Sequence, residues 1–196
     1  MSNARLTQLA EKSFDKESEV FAFEDVAHKK SHEGKRWYVI YSVADLGAMT
    51  TPNDTITLSW KTPLKEKGEM HLEFSAKGTA GWRIRLIEAP TGGVASPTGT
   101  LNILNHKTSI TEKSEVLDAT GVTKGVVSYD ATLATGGITL WDEYLEGSAG
   151  PLGNAASGGG RNELELTPDT VYQLSLFGTD NNPGTVIIDW YMGDEE

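Results

Sequence analysis

The sequence predicts an all-β protein, an antiparallel β-sandwich of jelly-roll-like type with an extended N-terminal arm. Three observations lead to this fold class. From residue 37 onward, apolar and polar residues alternate in short segments, which is the pattern of half-buried strands. Turn-forming Gly, Pro, Asn and Asp separate these segments. No long amphipathic helix interrupts them, and evenly spaced short strands are typical of sandwiches and barrels.

The first 36 residues differ from the remainder and predict the arm. They are rich in Lys, Glu, Asp and Ser, and a short helix is expected near residues 6–11. Isolated apolar residues then follow in charged surroundings: Phe14, Val20, Phe21, Phe23 and Val26. Two interpretations remain open, a flexible leader and an extended arm that becomes ordered on a neighbouring molecule. The concentration of phenylalanine favours the arm, so the expected division is an arm over 1–36 and a sandwich over 37–196.

The first strands are expected at five segments after the arm. Residues 36–43, "RWYVIYSV", form an apolar run, and residues 54–62 place Ile56, Leu58 and Trp60 on one face. Residues 69–78 and 81–90 alternate in the same way, and the glycines between them predict a hairpin link at 78–81. A short strand is expected within 100–105.

The second half of the chain continues this pattern. Strands are expected in "GVVSYDATL" and "ITLWDEYLE", and residues 161–192 read as two alternating strands joined by a turn. The turn residues lie at 167–170 and 180–185. Two glycine-rich segments, 89–100 and 146–161, are expected to be long loops. The second is a candidate for a subunit interface or an outward tip.

Composition narrows the function classes. The absence of cysteine excludes disulfides and thiolate metal sites. Residues 114–196 hold two basic and fourteen acidic side chains, and an acidic surface is unfavourable for nucleic-acid binding. No apolar stretch has the length of a membrane span, and no secretory signal is recognisable, so we expect synthesis in a cytoplasm and no membrane partner.

Motifs for catalysis, cofactor binding and metal binding are weak. We therefore predict no catalytic residues, no cofactor and no metal site. His28 and His32 have a spacing that a helix would place on one side, but Lys29 stands where a metalloprotease needs Glu. No nucleophile elbow and no phosphate-binding glycine motif occurs. The carboxylates Asp142 and Glu143 beside aromatic residues are the best candidates for a sandwich hydrolase, although alternation places them on opposite faces.

Several segments together resemble a family of tailed-bacteriophage virion proteins that decorate capsids. The similar segments are "AHKKSHEGKRW" (27–37), Thr62–Pro63, "EAPTGGVASPTGT" (88–100), "NILNHKTS" (102–109), "GGGRNELELTPDTVYQLSL" (158–176) and "IIDWY" (187–191). These are turn and strand patterns, and the arm before Ala27 is a departure from the family. The resemblance implies a non-enzymatic β-sandwich, a homotrimer on the exterior of the virion, that stabilises the lattice of the major capsid protein.

We therefore expect a capsid decoration protein, with a glycan-binding β-sandwich on a virion or cell surface as the alternative. Residues expected to contact the capsid are Phe14, Val20, Phe21, Phe23, Lys29, Lys30 and Arg36. The glycan alternative predicts an exposed aromatic row drawn from Trp82, Trp141 and Tyr144. A hydrolase that uses Asp142 or Glu143 is the third possibility.

Overall fold

The computed structural model describes most of the chain from the end of the predicted arm onward. The described residues are 14–15, 20–21, 26–43, 55–78, 82–91, 97–109, 113–129, 133–145, 154–157, 163–178 and 184–193. In chain order, the elements are β1 (Phe14–Asp15), β2 (Val20–Phe21), α1 (Val26–Glu33), β3 (Arg36–Val43), β4 (Thr55–Lys61), a 3-10 turn (Lys65–Lys67), β5 (Met70–Gly78), β6 (Trp82–Thr91), β7 (Gly99–Asn102), β8 (Leu104–Asn105), β9 (Leu117–Asp118), β10 (Val126–Tyr129), β11 (Gly136–Leu145), β12 (Asn154–Ser157), β13 (Leu164–Leu166), β14 (Val171–Gly178) and β15 (Gly184–Met192).

Two large antiparallel sheets pack face to face, which confirms the predicted all-β sandwich. Sheet I has the order β12-β5-β15-β3-β8, and β13 also pairs with β5. Sheet II has the order β11-β6-β14-β4-β10-β7, and β9 also pairs with β4. Every strand pair in both sheets is antiparallel.

The connectivity is that of a long ribbon folded back on itself. β3, β4, β5 and β6 alternate between sheet I and sheet II, and the returning chain pairs with them in reverse order. Thus β11 pairs with β6, β12 and β13 pair with β5, β14 pairs with β4, and β15 pairs with β3. β7 to β10 are an insertion between β6 and β11, and they extend both sheets at one edge.

The hydrophobic core lies between the two inward faces, where the predicted alternation holds. Ile56, Leu58 and Trp60 of β4 belong to this core, as the period-two pattern predicts, while Thr57 and Ser59 on the opposite face of the strand are buried too. The other buried apolar side chains come from both sheets: Trp37, Val39, Met70, Leu72, Phe74, Ala76, Ile84, Leu86, Val116, Val127, Leu166, Tyr172, Leu174, Leu176, Val186, Ile188, Trp190 and Met192. Within the core, the Trp60 and Tyr172 rings stack with centroids 6.0 Å apart.

The predicted hairpin at 78–81 was wrong. β5 and β6 belong to different sheets, so the link at 78–81 carries the chain from one sheet to the other. The segment 161–192, expected to hold two strands joined by a turn, holds three: β13 and β15 lie in sheet I, and β14 lies in sheet II. The expected single strand within 100–105 is also two short strands, β7 in sheet II and β8 in sheet I. Partners in this ribbon are distant in sequence, and alternation within a strand does not identify them.

The glycine-rich segments contain more strand than expected. β6 continues to Thr91, and β12 lies within the predicted loop 146–161, where it pairs with residues 75–78 of β5. The expected helix near residues 6–11 lies outside the described residues. A helix that was not predicted, α1, occupies Val26–Glu33. Gly34 has φ +76 and closes it, since its N–H donates to Ser31 O while the N–H of Lys35 donates to Lys30 O.

Candidate interaction surfaces

The apolar arm residues fall in or near a small separate ladder. Phe14 of β1 pairs with Phe21 of β2, and Asp15 pairs with Val20. The side chains of these residues, and Phe23 as a whole, lie outside the described part of the structure. Their contact with a capsid therefore stays a prediction.

The end of the predicted arm packs on the sandwich. The backbone oxygens of His32 and Gly34 accept hydrogen bonds from Lys107 Nζ (2.9 Å) and Asn105 Nδ2 (2.7 Å). Lys30 is only 4% exposed, and its Nζ lies 3.8 Å from Glu33. The expected boundary at residue 36 therefore does not coincide with a boundary in packing, because this segment is attached to the strands that follow it.

Arg36 bridges two carboxylates on the outward face of sheet I, which we call face I. Its Nε donates to Asp189 Oδ1 (2.6 Å), and its Nη2 donates to Glu73 Oε2 (3.1 Å). Asp189 and Glu73 stand directly opposite each other on neighbouring strands, where like charges destabilise a sheet. Asp189 Oδ2 also lies 2.7 Å from His106 Nε2. Arg36 thus has a structural role, because it holds these two carboxylates together.

A second histidine–carboxylate cluster lies beside the first on face I. His71 Nδ1 is 2.5 Å from Glu163 Oε1, and the Tyr191 hydroxyl donates to the same oxygen. The rings of His71 and Tyr191 stack with centroids 4.7 Å apart. This cluster connects β5, β15 and the residue before β13. Neither cluster is predicted by the sequence pattern, although a lone carboxylate in the apolar strand β15, Asp189, is the available signal.

Apolar side chains complete face I. Ile40 and Leu104 are each 49% exposed. Leu104 lies across from Tyr38 in the ladder, and the Tyr38 ring is 4.7 Å from the His106 ring. Face I therefore combines ion pairs that are already satisfied with exposed apolar groups, a composition suited to contact with another protein surface.

The second exposed apolar surface follows β11, the edge strand of sheet II. Ile138 is 60% exposed and Tyr144 is 68% exposed, with Leu140 between them also exposed. Within the described strands, β11 pairs with β6 on one side and has no ladder on the other. Two register shifts interrupt the β11–β6 ladder. An edge strand with outward apolar side chains is a template for pairing with another chain, and bulges limit such pairing.

The carboxylates of the hydrolase hypothesis are separated and engaged. Arg83 donates to both oxygens of Asp142 (2.7 and 2.6 Å), and these hydrogen bonds lower the pKa of Asp142 below its usual value. Glu143 accepts a hydrogen bond from Trp141 Nε1 at 3.2 Å. An acid kept ionised by Arg83 is poorly suited to protonate a leaving group. The geometry therefore gives the hydrolase hypothesis no support.

The aromatic row expected for glycan binding is divided between two faces. Trp141 is half-buried, and its ring meets the Phe74 ring edge-on with centroids 5.7 Å apart, whereas Tyr144 points outward. The side chain of Trp82 lies outside the described residues. Trp141 and Tyr144 therefore do not form a common stacking platform.

The largest pKa shift of the described residues belongs to a structural group. Burial and a 2.7 Å hydrogen bond to Glu88 raise the pKa of Tyr172 to about 12. The same hydroxyl accepts the N–H of Thr167 at 2.8 Å, so it fixes the turn before β14 to the sheet. A shift with this cause marks packing rather than catalysis.

The described ranges contain neither a metal-ligand cluster nor a membrane-spanning helix. No group of three or more His, Asp or Glu residues among them is arranged to hold a metal ion. No helix there is long and apolar enough to cross a membrane. No protein-family model, curated protein or solved structure matches the chain.

Proposed function

We propose that this chain is a bacteriophage capsid decoration protein, a non-enzymatic β-sandwich that binds the outer surface of the head and stabilises it. The observation that carries the proposal is the pair of exposed apolar surfaces, one on face I and one along β11. They occur in a fold whose clustered ionisable groups already pair with one another. Such surfaces fit a protein whose role is contact.

The connectivity gives further support. A nested antiparallel ribbon rolled into two sheets is the arrangement expected of a jelly roll, a fold used by viral capsid proteins and lectins. Fold alone does not determine function. The proposal therefore also rests on the resemblance of the segments 27–37, 88–109, 158–176 and 187–191 to capsid-decorating proteins.

Self-association as a homotrimer is part of the proposal, and β11 is the surface that favours it. In a closed ring, the edge of one copy would contact a different surface of the next. Burial of Ile138 and Tyr144 would then remove apolar area from water. Weak attachment of each copy to a repeating lattice would become firm through multivalency.

Lattice contact is assigned to the arm residues Phe14, Val20, Phe21 and Phe23 together with Lys29. Lys29 remains a candidate because its side chain is 60% exposed. Lys30 and Arg36 are removed from the contact surface, since Lys30 is buried and Arg36 is engaged by Asp189 and Glu73. Glycan binding is the less favoured alternative, because Trp141 does not join Tyr144 on one face.

Electron cryomicroscopy of virions tests the proposal. Particles produced from a genome with the intact coding sequence should carry surface density at regular lattice positions, and particles from a genome with the sequence deleted should lack it. Adding back the purified full chain should restore the density, and a variant without residues 1–25 should not. The truncated protein should retain its far-UV circular dichroism, which separates loss of attachment from loss of folding. Identical heads with and without the gene would refute the proposal.

Sedimentation tests the trimer separately. Ile138→Lys introduces a charge on the proposed interface, and Ile40→Lys introduces the same charge on face I as a matched control. We expect the native chain and Ile40→Lys to sediment as trimers and Ile138→Lys as a monomer. A native chain that stays monomeric at high concentration would contradict the trimer.

A further inference from the structure

The connection between β10 and β11 crosses the outward face of sheet II, which we call face II. The two strands follow each other in the chain, but β4, β14 and β6 lie between them in the sheet. Gln173 of β14 points to face II, because its neighbours Tyr172 and Leu174 belong to the core. The N–H of Ala134 donates to Gln173 Oε1 at 2.7 Å, so the chain passes over β14 on this face. We call residues 133–135, the described end of the connection, the strap.

Gln173 is part of a buried row of side chains on face II. Ser128, Ser59, Gln173 and Ile87 stand opposite one another on β10, β4, β14 and β6, and all four are buried. The Gln173 side chain donates from Nε2 to Ser59 Oγ at 3.2 Å and accepts the N–H of the strap at Oε1. A buried polar group without a partner is unfavourable, so the amide of Gln173 and the N–H of Ala134 hold each other in place.

The strap leads directly into the first half of β11. Thr135 donates twice to Thr91 O of β6, from its N–H at 3.0 Å and from its hydroxyl at 3.2 Å. Gly136 and Gly137 open the strand and have no side chains to pack. The strap therefore fixes the chain just before two residues that contribute little to holding it.

The first half of β11 is also the weakly paired part of this edge strand. Both register shifts in its ladder to β6 lie between Gly136 and Trp141, and from Trp141 onward the ladder continues without a shift. Among the described strands, β11 has no neighbour on its other side. The exposed apolar side chains of Ile138 and Leu140 therefore belong to the part of β11 that the ladder holds least.

We propose that Gln173 is a positioning residue, which fixes the strap to face II and thereby holds the first half of β11 in place. Without this hydrogen bond, residues 134–140 are attached to the sheet through Thr135 and an interrupted ladder alone. Gln173 in this way presents Ile138 and Leu140 at the edge of sheet II. The consequence for self-association rests on the proposed trimer, whereas the fixing of β11 by the strap does not.

Amide hydrogen exchange of the full chain, resolved by residue, tests the positioning role. In the native chain, the Ala134 amide should be protected far more strongly than an exposed loop amide, because it and its acceptor are buried. Gln173→Met keeps an unbranched side chain and removes the acceptor. Residues 134–140 should then exchange about tenfold faster, while β5 and β15 of sheet I change much less. An unprotected Ala134 amide in the native chain, or unchanged exchange over 134–140 in the variant, would overturn the proposal.

Two further variants separate the strap from a general loss of stability. Ser175→Ala changes another buried side chain of β14 on face II, one without a hydrogen-bond partner among the described residues, and should leave exchange over 134–140 within about twofold of native. Ala134→Pro removes the N–H from the strap and carries the test if Gln173→Met does not fold. Combined with Gln173→Met, it should add less than about twofold, because both remove the same hydrogen bond. Additive effects, or faster exchange spread equally over both sheets, would refute the positioning role.

Sedimentation then tests the consequence for the contact edge. The concentration at which half of the trimer dissociates should rise about tenfold in Gln173→Met and stay near the native value in Ser175→Ala. An unchanged trimer together with faster exchange over 134–140 would refute the link between the strap and self-association. A native chain that is monomeric would contradict the trimer, and the exchange measurements would then decide the positioning role by themselves.

Discussion

Replacement of Arg36 by alanine should destabilise the sandwich by about 3 kcal/mol at neutral pH. The loss has two sources in the structure. Arg36 donates one hydrogen bond to each of two carboxylates, at 2.6 and 3.1 Å. Its removal also leaves Asp189 and Glu73 facing each other without the guanidinium that bridges them. Two like charges about 5 Å apart repel by roughly 3 kcal/mol at the effective dielectric of a protein surface, before salt screening reduces this.

Arg83→Ala is the matched control, because Arg83 makes a bidentate pair with a single carboxylate in a more exposed place. The Arg83 side chain is 49% exposed, whereas that of Arg36 is 19% exposed. Exposed ion pairs contribute little, since water and salt screen them, so this variant should unfold close to the native curve. Arg36→Lys should fall between the native protein and Arg36→Ala, because it keeps the charge and loses the fork.

Urea denaturation monitored by tryptophan fluorescence measures these differences. A lower midpoint for Arg36→Ala at an unchanged slope would show a change in stability alone. Equal midpoints for Arg36→Ala and Arg83→Ala would refute the reasoning. Virion binding is then measured with the Arg36→Ala variant. Retained binding would agree with the removal of Arg36 from the contact surface.

The remaining predictions concern two turns. Asp118→Ala should cost roughly 2–4 kcal/mol, because Asp118 Oδ1 accepts the Val122 N–H (2.9 Å) and the Thr120 hydroxyl (2.8 Å). Burial raises the pKa of Asp118, but these hydrogen bonds outweigh burial and the net pKa is lowered. Its contribution is therefore present above the unfolded pKa near 4 and is lost as the pH falls through the lower folded pKa, so Asp118→Asn should flatten the stability curve below about pH 4. Gly68→Ala should lower the melting temperature by several degrees, because φ is +89 and the new Cβ would lie 2.5 Å from Gly193 O.

Strand identity was accessible from sequence, because it depends on local alternation. The residues of β4, β5 and β14 that were assigned to one face line the core between the sheets, since side chains in any strand point alternately to opposite faces. In β4 and β14 the intervening polar residues Thr57, Ser59, Gln173 and Ser175 are buried as well, which alternation does not predict. The start and end of β3 were also predicted, as its apolar run is bounded by the charged and turn residues around it. The absence of cysteine and the acidic charge of residues 114–196 likewise follow from composition.

Pairing was decided by tertiary structure. A strand that turns back in its own sheet and one that crosses to the opposite sheet have the same period, so the sequence predicts a hairpin for β5 and β6, which lie in different sheets. Strand pairing is set by the need to bury the inward faces of both sheets at once. This requirement pairs β3 with β15, which are separated by most of the chain.

The roles of charged residues depended on the fold for the same reason. Lys30 and Arg36 resemble exposed basic residues in the sequence, and only packing shows that one is buried and the other holds Asp189 and Glu73. Arg85 and Arg83 are equivalent in the alternation pattern, yet it is Arg83 that makes the bidentate pair with Asp142 of β11. The local apolar–polar pattern does not identify the partner of a charged residue, because the packing of the two sheets decides which strand lies beside it.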